Sequence, residues 1–327
     1  ALGKARGAAR MLVNQTQHRS LAMGQNVFSL DNDDKYASIN TSGMPYTVPT
    51  QFGGRFEHFY RPELASSTTP VQWHDWISPI LGDSLNFSTN RAQRFSQILN
   101  DFADPAARLY NQVAFLGDGG SALDKSQFDE IVEEGRGLLQ VSYLSPSMFH
   151  FVNPEGRHQI RIGSATVYLK TDWVAGEPCL VPKGFMPRID LVGQQSAKVV
   201  SLDGTRFWAD QGYVDVDVAV NPRYYGSFTD NPLYNESRAW GRVGRMNQPN
   251  TREGYKLSFR HGNNDRVVAG YFDGHVGVIS DREFYSDPNP FAPSGSLFKE
   301  GSSAANEQAL QWIGEREGFH NGVYKIQ

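Results

Sequence analysis

The sequence predicts an α+β fold in which a long N-terminal helix packs on a C-terminal antiparallel β-sheet, with large insertions between them. Residues 1–31 favour one continuous helix, and the segments after Phe149 alternate apolar and polar side chains as strands do. These two kinds of segment occupy separate blocks of the chain, which favours α+β over a βαβ architecture. The predicted blocks are a helix at 1–36, an irregular and partly helical lobe at 37–148, and a sheet domain with a final helix at 149–327.

Length and composition exclude several classes of protein. The 327 residues are enough for a sizeable core, and 32 Gly with 17 Pro favour many turns. A net charge of -4 gives no general reason to expect nucleic acid as a partner. The single Cys179 excludes an internal disulfide and a multi-cysteine zinc site. No stretch reaches the ~20 apolar residues that span a bilayer.

The first helix lacks the usual signals of a helix start. Its apolar residues recur with a helical period at Leu2, Ala5, Ala9, Leu12, Val13, Leu21 and Phe28. No capping residue precedes them, and Lys4 and Arg6 carry the wrong charge for the positive end of a helix dipole. Arg10 and Arg19 continue a run without acids that ends only at Asp31, in the turn-forming "DNDDKY". The segment therefore has the pattern of a helix interior.

Further elements follow from the same two periodicities. Helices are expected at 90–105, 125–139 and 303–317. Strands are expected at 158–170, 198–210, 213–220 and 255–261, with a turn at Asp203-Gly204 inside the second of these segments. The stretch "PVQWHDWISPILGDS" favours a buried group of aromatic side chains in the middle lobe.

The strongest local signal is a hairpin in "RVVAGYFDGHVGVIS", residues 266–280. Asp273-Gly274 between two apolar runs favours a type I′ turn, in which both central residues need a positive φ. Such a turn places two pairs of residues opposite each other, Phe272 with His275 and Gly270 with Gly277. The facing glycines would leave a notch on one side of the ribbon. The hairpin is either an ordinary part of a sheet or a motif whose Asp and His serve a site.

Two elements of the sequence resemble type IV pilin-like proteins. "ALGKARGAAR" and "FSLDNDDKY" are similar to the segment that follows the membrane helix in prepilins, and the matching residues are Lys4, Arg6, Arg10, Phe28, Asp31 and Asn32. "RHGNNDRVVAGYFDGHV" resembles the His-x9-Asp-Gly element of a large pseudopilin-like bacterial family, through His261, Asp273 and Gly274, with His275 next to them. Here eleven residues separate His261 from Asp273, no Pro follows "DNDDKY", and Asn14 stands where the family has a Cys.

This resemblance implies a structural, non-enzymatic subunit. In the family, an apolar segment of about 20 residues would precede Ala1, anchor the subunit in the inner membrane and pack in a filament core. Lys4 and Arg6 would then lie within a longer helix, near lipid head groups. The expected partners are other subunits of a type IV pilus or a type II secretion pseudopilus. The globular part would be periplasmic or extracellular. Asp273-Gly274 would set the hairpin, and His261 would brace the adjacent strand.

Metal binding is a further possibility that the sequence leaves open. The set His261, Asp265, Asp273 and His275 contains the imidazole and carboxylate ligands that suit zinc. Major pseudopilins bind calcium in a C-terminal loop, which makes Asp287 and Asn289 of "YSDPNPFAPSG" the calcium candidates here. A solvated turn explains the same residues without an ion, and no other cofactor is expected.

Two other functions compete with the structural one. A carbohydrate- or surface-binding module would use exposed residues among Trp73, Trp76, Trp173, Trp208, Trp240 and Trp312. A metal-dependent hydrolase would need the histidines and aspartates of the hairpin to converge. No G-x-S-x-G motif is present, and the Gly-rich stretch at 117–126 has no following G-K-[ST], so the sequence predicts no catalytic residue.

Overall fold

The computed structural model describes residues 2–38, 41, 47–49, 56–58, 65–111, 125–135, 137–153, 159–162, 165–168, 179–205, 207–208, 213–214, 216, 218, 227–230, 232, 239–240, 258–299, 319–320 and 323–327. The α-helices are α1 (Leu2–Asp31), α2 (Ile77–Leu81), α3 (Arg91–Ser96), α4 (Lys125–Glu134) and α5 (Asp281–Ser286). A π-helical turn, Gln97–Asp101, continues α3. Short 3₁₀ turns lie at Ser147–His150, Ile189–Leu191, Gln195–Ala197 and Asn289–Phe291.

Seventeen strands lie in the described parts of the chain, most of them short. They are β1 (Thr47–Pro49), β2 (Phe56–His58), β3 (Tyr110–Asn111), β4 (Leu138–Leu139), β5 (Tyr143–Pro146), β6 (Gln159–Ile162), β7 (Ala165–Tyr168), β8 (Cys179–Leu180), β9 (Val199–Asp203), β10 (Phe207–Trp208), β11 (Tyr213–Val214), β12 (Thr229–Asp230), β13 (Arg266–Tyr271), β14 (Val276–Ser280), β15 (Leu297–Lys299), β16 (Phe319–His320) and β17 (Val323–Lys325).

The central sheet has five strands in the order β12-β5-β9-β13-β14. The pairs β5 with β9, β9 with β13 and β13 with β14 are antiparallel, whereas β12 runs parallel to β5. The α+β class is therefore confirmed. The sheet is mixed, however, so the prediction of an antiparallel sheet is wrong for the pair β12 and β5. Strand β5 belongs to the end of the segment 37–148, which was expected to form the lobe. The predicted boundary at 148 therefore separates β5 from the later strands of its own sheet.

A second sheet of four antiparallel strands has the order β16-β17-β15-β8. The strands predicted at 158–170 are confirmed as the hairpin β6–β7. The turn predicted at Asp203-Gly204 is wrong, because β9 ends at Asp203 and pairs with β5 and β13, while β10 pairs with β11. Ser258–His261, the described part of the predicted strand 255–261, makes only an isolated bridge between His261 and Arg266. The predicted helix at 303–317 lies outside the described residues.

The β13–β14 hairpin has a different turn from the predicted one. Tyr271, not Phe272, lies opposite His275: the Tyr271 N–H donates to the His275 carbonyl (3.0 Å), and the Gly274 N–H donates to the Tyr271 carbonyl (2.9 Å). Only Gly274 has a positive φ, of 90°. This is the three-residue loop with a glycine bulge. The one-residue change in register places Ala269 opposite Gly277, so the predicted pair of facing glycines is wrong.

Helix α1 lies across the central sheet, mainly over β13 and also over β9 and β14. Its buried residues are Asn14, His18, Leu21, Ala22, Gln25 and Ser29. The backbones approach closely at Gly270, where an added Cβ would lie 2.9 Å from the His18 carbonyl oxygen and 2.7 Å from Ser201 Oγ. None of the helices in the described residues has both the length and the hydropathy needed to cross a membrane.

Gly270 therefore provides a test of this packing. We expect Gly270→Ala to lower the free energy of unfolding by about 1–3 kcal/mol, because either the α1 backbone or Ser201 must shift. The matched control is Gly7→Ala in an exposed turn of α1, where an added Cβ meets nothing within 4 Å. That control should be neutral or stabilising, since Ala favours a helix over Gly. Urea unfolding of the two variants checks the difference, and equal effects would contradict this packing.

The main core joins α1, the short helices and the central sheet. It includes Leu21 of α1, Trp76 and Ile77 at the start of α2, Phe95 of α3, and Leu202 of β9. Asp75 fixes the start of α2, since its Oδ1 accepts the N–H groups of Ile77 (2.8 Å) and Ser78 (3.0 Å). The segment from 65 to 111 thus packs against the sheet on one continuous core. It is not a separately packed lobe.

Candidate functional site

The structure separates the two halves of the predicted hairpin motif. His261 lies before the start of β13, whereas Asp273, Gly274 and His275 lie in and beside the loop after its end. The six residues of β13 stand between them, at ~3.3 Å per residue. These side chains consequently do not converge on one metal ion, as the hydrolase hypothesis requires. At the loop, His275 Nδ1 lies 2.6 Å from Asp273 Oδ1, and the His275 ring stacks on Tyr271 at 4.0 Å.

His261 instead belongs to a buried cluster of charged groups beneath α1. Its Nε2 lies 3.4 Å from Asp104 Oδ2 and 3.4 Å from Asp203 Oδ2. Arg260 Nε donates to Asp104 Oδ2 at 2.6 Å, and its Nη2 lies 3.4 Å from Asp203 Oδ1. All four side chains are at most 4% exposed. We call Asp104, Asp203, Arg260 and His261 the charge cluster.

Asp203 at the end of β9 connects the charge cluster to α1. Its Oδ1 accepts hydrogen bonds from Asn14 Nδ2 (2.7 Å) and His18 Nε2 (3.0 Å), and its Oδ2 accepts the Val268 N–H of β13 (2.7 Å). With Nε2 donating, His18 Nδ1 accepts from the Ser201 hydroxyl at 2.8 Å. One carboxylate thus ties two turns of α1 and a neighbouring strand to β9.

Neutral groups complete the surroundings of the charge cluster. Arg260 donates to the backbone carbonyls of Ser142 (2.9 Å) and Gly204 (3.0 Å). Asp104 Oδ1 accepts the Ala106 N–H at 2.8 Å. Tyr143 packs edge-on against His18, with ring centres 4.9 Å apart, and its hydroxyl donates to Gln17 Oε1 at 2.5 Å. This degree of hydrogen bonding is what allows charges to remain stable away from water.

The pKa values reflect these contacts. Burial raises the pKa of Asp203, but hydrogen bonds from His18 and His261 and the charge of Arg260 outweigh burial and hold the pKa well below its ordinary value. Burial also opposes the charge of Asp104, and Arg260 and His261 again lower its pKa. For His261, burial lowers the pKa while the two carboxylates raise it, to about 9. At neutral pH the charge cluster therefore holds two negative and two positive charges.

The contact between Asn14 and His261 depends on whether His261 is protonated. Asn14 Nδ2 lies 2.8 Å from His261 Nε2, so it can donate to a neutral His261 as well as to Asp203. A protonated His261 has no acceptor, and its Nε2–H then faces the two carboxylates. The protonated form prevails at neutral pH, because otherwise two buried carboxylates would share a single guanidinium.

The charge cluster also contains a possible ligand set for a metal. Asp104, Asp203 and His261 each offer one ligand atom within 4.8 Å of the others. However, both oxygens of each carboxylate already accept hydrogen bonds or ion pairs from protein groups. Arg260 and His261 also balance the two negative charges. A dication would leave a buried net positive charge, so the donor set does not fit a metal ion well.

The two calcium candidates take part in local hydrogen bonds. Asp287 Oδ1 accepts from both the backbone N–H (3.1 Å) and Nδ2 (2.9 Å) of Asn289. Asn289 Oδ1 accepts the Gln327 N–H at 2.9 Å, and its backbone carbonyl accepts from Lys198 Nζ at 2.8 Å. These groups hold a turn and the end of β17 together. The calcium hypothesis remains a prediction for this loop.

The residues that carry the prepilin resemblance lie along α1. Lys4, Arg6 and Asp31 are exposed and Arg10 is half-buried. Phe28 packs against the core, and Asn32 Nδ2 donates to its carbonyl at 2.7 Å.

Hydrogen bonding closes the C-terminal end of α1 even though acids follow it. Asp33 and Asp34 adopt left-handed φ values of 54° and 64°, and the Asp34 N–H donates to the Ser29 carbonyl at 3.0 Å. An αL turn of this kind ends a helix by satisfying its last carbonyls.

The tryptophans that the structure describes do not form a binding platform. Trp76 and Trp240 are fully buried and donate to backbone carbonyls of Phe228 (2.8 Å) and Asp203 (2.7 Å). Trp73 is also buried. Trp173 and Trp312 lie outside the described residues, as does the side chain of Trp208. The described tryptophans are therefore part of the core.

Sequence reasoning missed most of the charge cluster. Asp104 and Arg260 carried no motif, and Asp203 had the pattern of a turn. Asn14 was noted only as a replacement for a Cys, although Asn14 and His18 lie one helical turn apart and share a face. A polar pair at that spacing, on the same stripe as Leu21 and Ala22, was the one available signal.

Comparisons of the chain with protein-family models, with curated proteins and with solved structures found no match.

Proposed function

We propose that the chain is a non-enzymatic, pilin-like structural subunit of a bacterial envelope assembly, either a type IV pilus or a secretion-type pseudopilus. The observation that carries this proposal is the set of exposed apolar side chains on the outward face of α1. The proposal rests in addition on the resemblance of α1 and of the hairpin to prepilin sequences, and on the packing of a long helix against a sheet. By that resemblance, an apolar segment upstream of Ala1 would anchor the subunit in the inner membrane.

The outward face of α1 exposes several large apolar side chains, and its inward face buries polar side chains beside Leu21 and Ala22. The exposed apolar residues are Leu2, Leu12, Val13, Met23, Val27 and Leu30, while the buried residues include Asn14, His18, Gln25 and Ser29. At about 100° per residue, the two sets project on opposite sides of the helix. A helix of a globular protein normally turns its apolar stripe inward and its polar residues outward.

The exposed apolar face favours a partner outside the chain. Leu30 is 82% exposed and Leu2 is 70% exposed. Full burial of either side chain in an interface would contribute roughly 1.5–3 kcal/mol of stabilisation. Exposed apolar side chains that are grouped on one face of a helix mark sites of association. The inner face already holds α1 on the sheet through hydrogen bonds to Asp203 and through the burial of Leu21 and Ala22. The outer face is thereby left for assembly.

The burial of the charge cluster supports a structural role. The side chains of Asp104, Asp203, Arg260 and His261 are at most 4% exposed, so a substrate cannot reach them. Their hydrogen bonds join α1, β9 and β13 instead. A role in holding the subunit together is therefore favoured over catalysis.

The N-terminus of the native protein in cell envelopes tests this function. We expect mass spectrometry to find a methylated apolar residue roughly 20–25 positions before Ala1, the length of an apolar helix that spans a bilayer. A native start at or near Ala1, or cleavage of a conventional signal peptide, would count against the pilin-like function. The carbohydrate-binding and hydrolase hypotheses would then be examined by glycan binding and by elemental analysis of the purified protein.

A further inference from the structure

The turn after α5 contains an asparagine whose side chain and backbone carbonyl are both bound by charged groups. Asn289 Nδ2 donates to Asp287 Oδ1 at 2.9 Å. The backbone carbonyl of Asn289 accepts a hydrogen bond from Lys198 Nζ at 2.8 Å. The next residue in the chain is Pro290. A carboxylate, a side-chain amide and an amine thus surround one peptide bond, which joins Asn289 to Pro290.

Hydrogen bonds fix which atom of the Asn289 amide faces Asp287. Asn289 Oδ1 accepts the Gln327 N–H at 2.9 Å, and this assigns the nitrogen of the amide to the side of the carboxylate. The Tyr324 hydroxyl lies 3.3 Å from the same Oδ1. When Nδ2 loses a proton, the negative charge of the amide lies mainly on Oδ1, where these donors stabilise it.

Lys198 is held against the carbonyl of Asn289 by a second contact. Its side chain is buried, and its Nζ also donates to the Gln327 carbonyl at 2.5 Å. Burial lowers the pKa of Lys198 to about 8, so the amine remains mostly protonated at neutral pH. A charged donor at 2.8 Å from a carbonyl oxygen is at the distance that stabilises a developing oxyanion.

Proline at position 290 determines which reaction these groups can assist. In most sequences the backbone N–H that follows an asparagine can attack the side-chain amide. Pro290 has no N–H, so this route is closed. The Asn289 side-chain nitrogen can instead attack the carbonyl carbon of its own residue and close a five-membered ring. Both reacting atoms belong to one residue, so the reaction needs no encounter between separate groups.

We propose that the chain cleaves its own peptide bond between Asn289 and Pro290. Asp287 takes a proton from Asn289 Nδ2, and this nitrogen forms a bond to the Asn289 carbonyl carbon. Lys198 stabilises the oxyanion that results. The bond to the Pro290 nitrogen then breaks, and the proton passes to that nitrogen. The products are a C-terminal succinimide at position 289 and a new N-terminus at Pro290, and no water is consumed.

The C-terminal fragment should stay bound after this cleavage. Phe291 and Ala292, the residues next to the new N-terminus, are buried in two of the hydrophobic clusters. Strand β15 is paired with β8 on one side and with β17 on the other. Cleavage therefore nicks the chain without releasing a piece, and only denaturing conditions should separate the two fragments.

Another Asn–Pro pair in the sequence provides a matched internal control. Asn153 precedes Pro154, but Asn153 Nδ2 donates to the Val181 carbonyl at 2.9 Å and not to a carboxylate. The Asn153 carbonyl accepts the uncharged Gly184 N–H at 2.6 Å. This pair has the same intrinsic chemistry as Asn289–Pro290 without the base and the cation.

Incubation of the purified full chain at neutral pH, followed by denaturing electrophoresis and mass spectrometry, tests the cleavage. We expect a fragment that begins at Pro290 and a fragment that ends at residue 289 as the succinimide or its hydrolysis products. The Asn153–Pro154 bond should stay intact over the same period. In urea, where the fold is lost, the two bonds should become equally stable.

Three results would overturn the proposal. They are a folded chain that stays whole, cleavage at both Asn–Pro bonds at similar rates, and a fragment that begins at Pro288. The last result would reflect the lability of the Asp287–Pro288 bond in acid. Each of these results is obtained with the unaltered chain, so none depends on whether a variant folds.

Variants assign the roles of the three groups. Asn289→Ala should abolish cleavage, because it removes the attacking nitrogen. Lys198→Met and Asp287→Ala should each slow cleavage by about 100-fold, as for loss of one oxyanion donor or one general base. Asn153→Ala is the control that should leave the rate unchanged. Urea unfolding checks that each variant is folded, and an unchanged rate in folded Lys198→Met and Asp287→Ala would contradict the mechanism.

Discussion

Replacing Asp203 by Asn should destabilise the protein by about 3–5 kcal/mol, the cost of removing one partner from a buried group of charges. The variant keeps the size of the side chain but removes the negative charge that Asn14, His18, Arg260 and His261 all face. Arg260 and His261 would then share only Asp104. We expect a lower midpoint of urea unfolding, together with loss of protection from hydrogen exchange in α1.

The matched control for this substitution is Asp273→Asn. Asp273 also contacts a histidine, at 2.6 Å, but its side chain is 34% exposed in the hairpin loop. Exposed ion pairs contribute little, so this variant should change the free energy of unfolding by less than about 1 kcal/mol. If the two variants were equally stable, Asp203 would not hold α1 on the sheet.

A double-mutant cycle can assign the coupling between helix and strand. Asn14→Ala removes the α1 group that donates to Asp203 Oδ1, and the Asn14→Ala/Asp203→Asn double variant completes the cycle. Because the two groups share one hydrogen bond inside one network, the losses should not be additive. We expect a coupling free energy of about 1–3 kcal/mol, and additive losses would argue against this contact.

The free energy of unfolding should decrease at both acidic and alkaline pH, and His261 should account for much of the decrease at alkaline pH. Its folded pKa of about 9 lies above the ordinary value of 6.5. The protonated form therefore stabilises the fold fully below about pH 6.5, and this stabilisation is lost as the pH rises toward 9. The shift corresponds to roughly 3 kcal/mol.

The two carboxylates give the opposite pH dependence, because their contribution to stability is lost as the pH falls. The pKa values of Asp104 and Asp203 are lowered in the folded state, so their contribution is present above about pH 4 and is lost as the pH falls below it. The charge cluster should therefore be most stabilising between about pH 4 and 6.5. Unfolding by urea at a series of pH values measures this profile.

His261→Gln isolates the contribution of the histidine. It should lower stability at pH 6 and flatten the decline between pH 6.5 and 9, whereas His275→Gln at the exposed loop should leave the decline intact. The comparison is needed because burial lowers the pKa of Lys198 from 10.5 to about 8, so that the cost of burying its charge is relieved as the pH rises above about 8, in the upper part of this range. An unchanged alkaline decline in His261→Gln would mean that the charge cluster does not depend on this imidazole.

The long helix and the α+β class could be predicted because they depend on local patterns. The period of apolar residues in 2–31 and the Asp-Gly pair between two apolar runs in 266–280 are both readable from neighbouring side chains. The turn type of the hairpin could not be predicted with the same certainty. Asp-Gly suits both the two-residue and the three-residue loop, and packing of Tyr271 on His275 accompanies the register that is adopted.

The charge cluster could not be predicted because its members come from distant parts of the chain. Asp104, Asp203 and His261 are brought together only by the pairing of β9 with β13 and by the path of the chain after the π-helical turn. The Asp203-Gly204 dipeptide satisfies the local preferences of a turn, yet Asp203 ends a central strand. Tertiary contacts with α1 outweigh the local preference there.

The way α1 is fixed to the sheet has a consequence for its behaviour near lipid. A helix held by apolar burial loses its reason to stay attached when its surroundings become apolar, since detergent or lipid can replace the sheet. Helix α1 does bury Leu21 and Ala22, but Asn14 and His18 also bind a carboxylate, and attraction between such groups strengthens as the local dielectric constant falls. In an apolar medium the helix should thus stay docked better than a helix that is held by apolar burial alone.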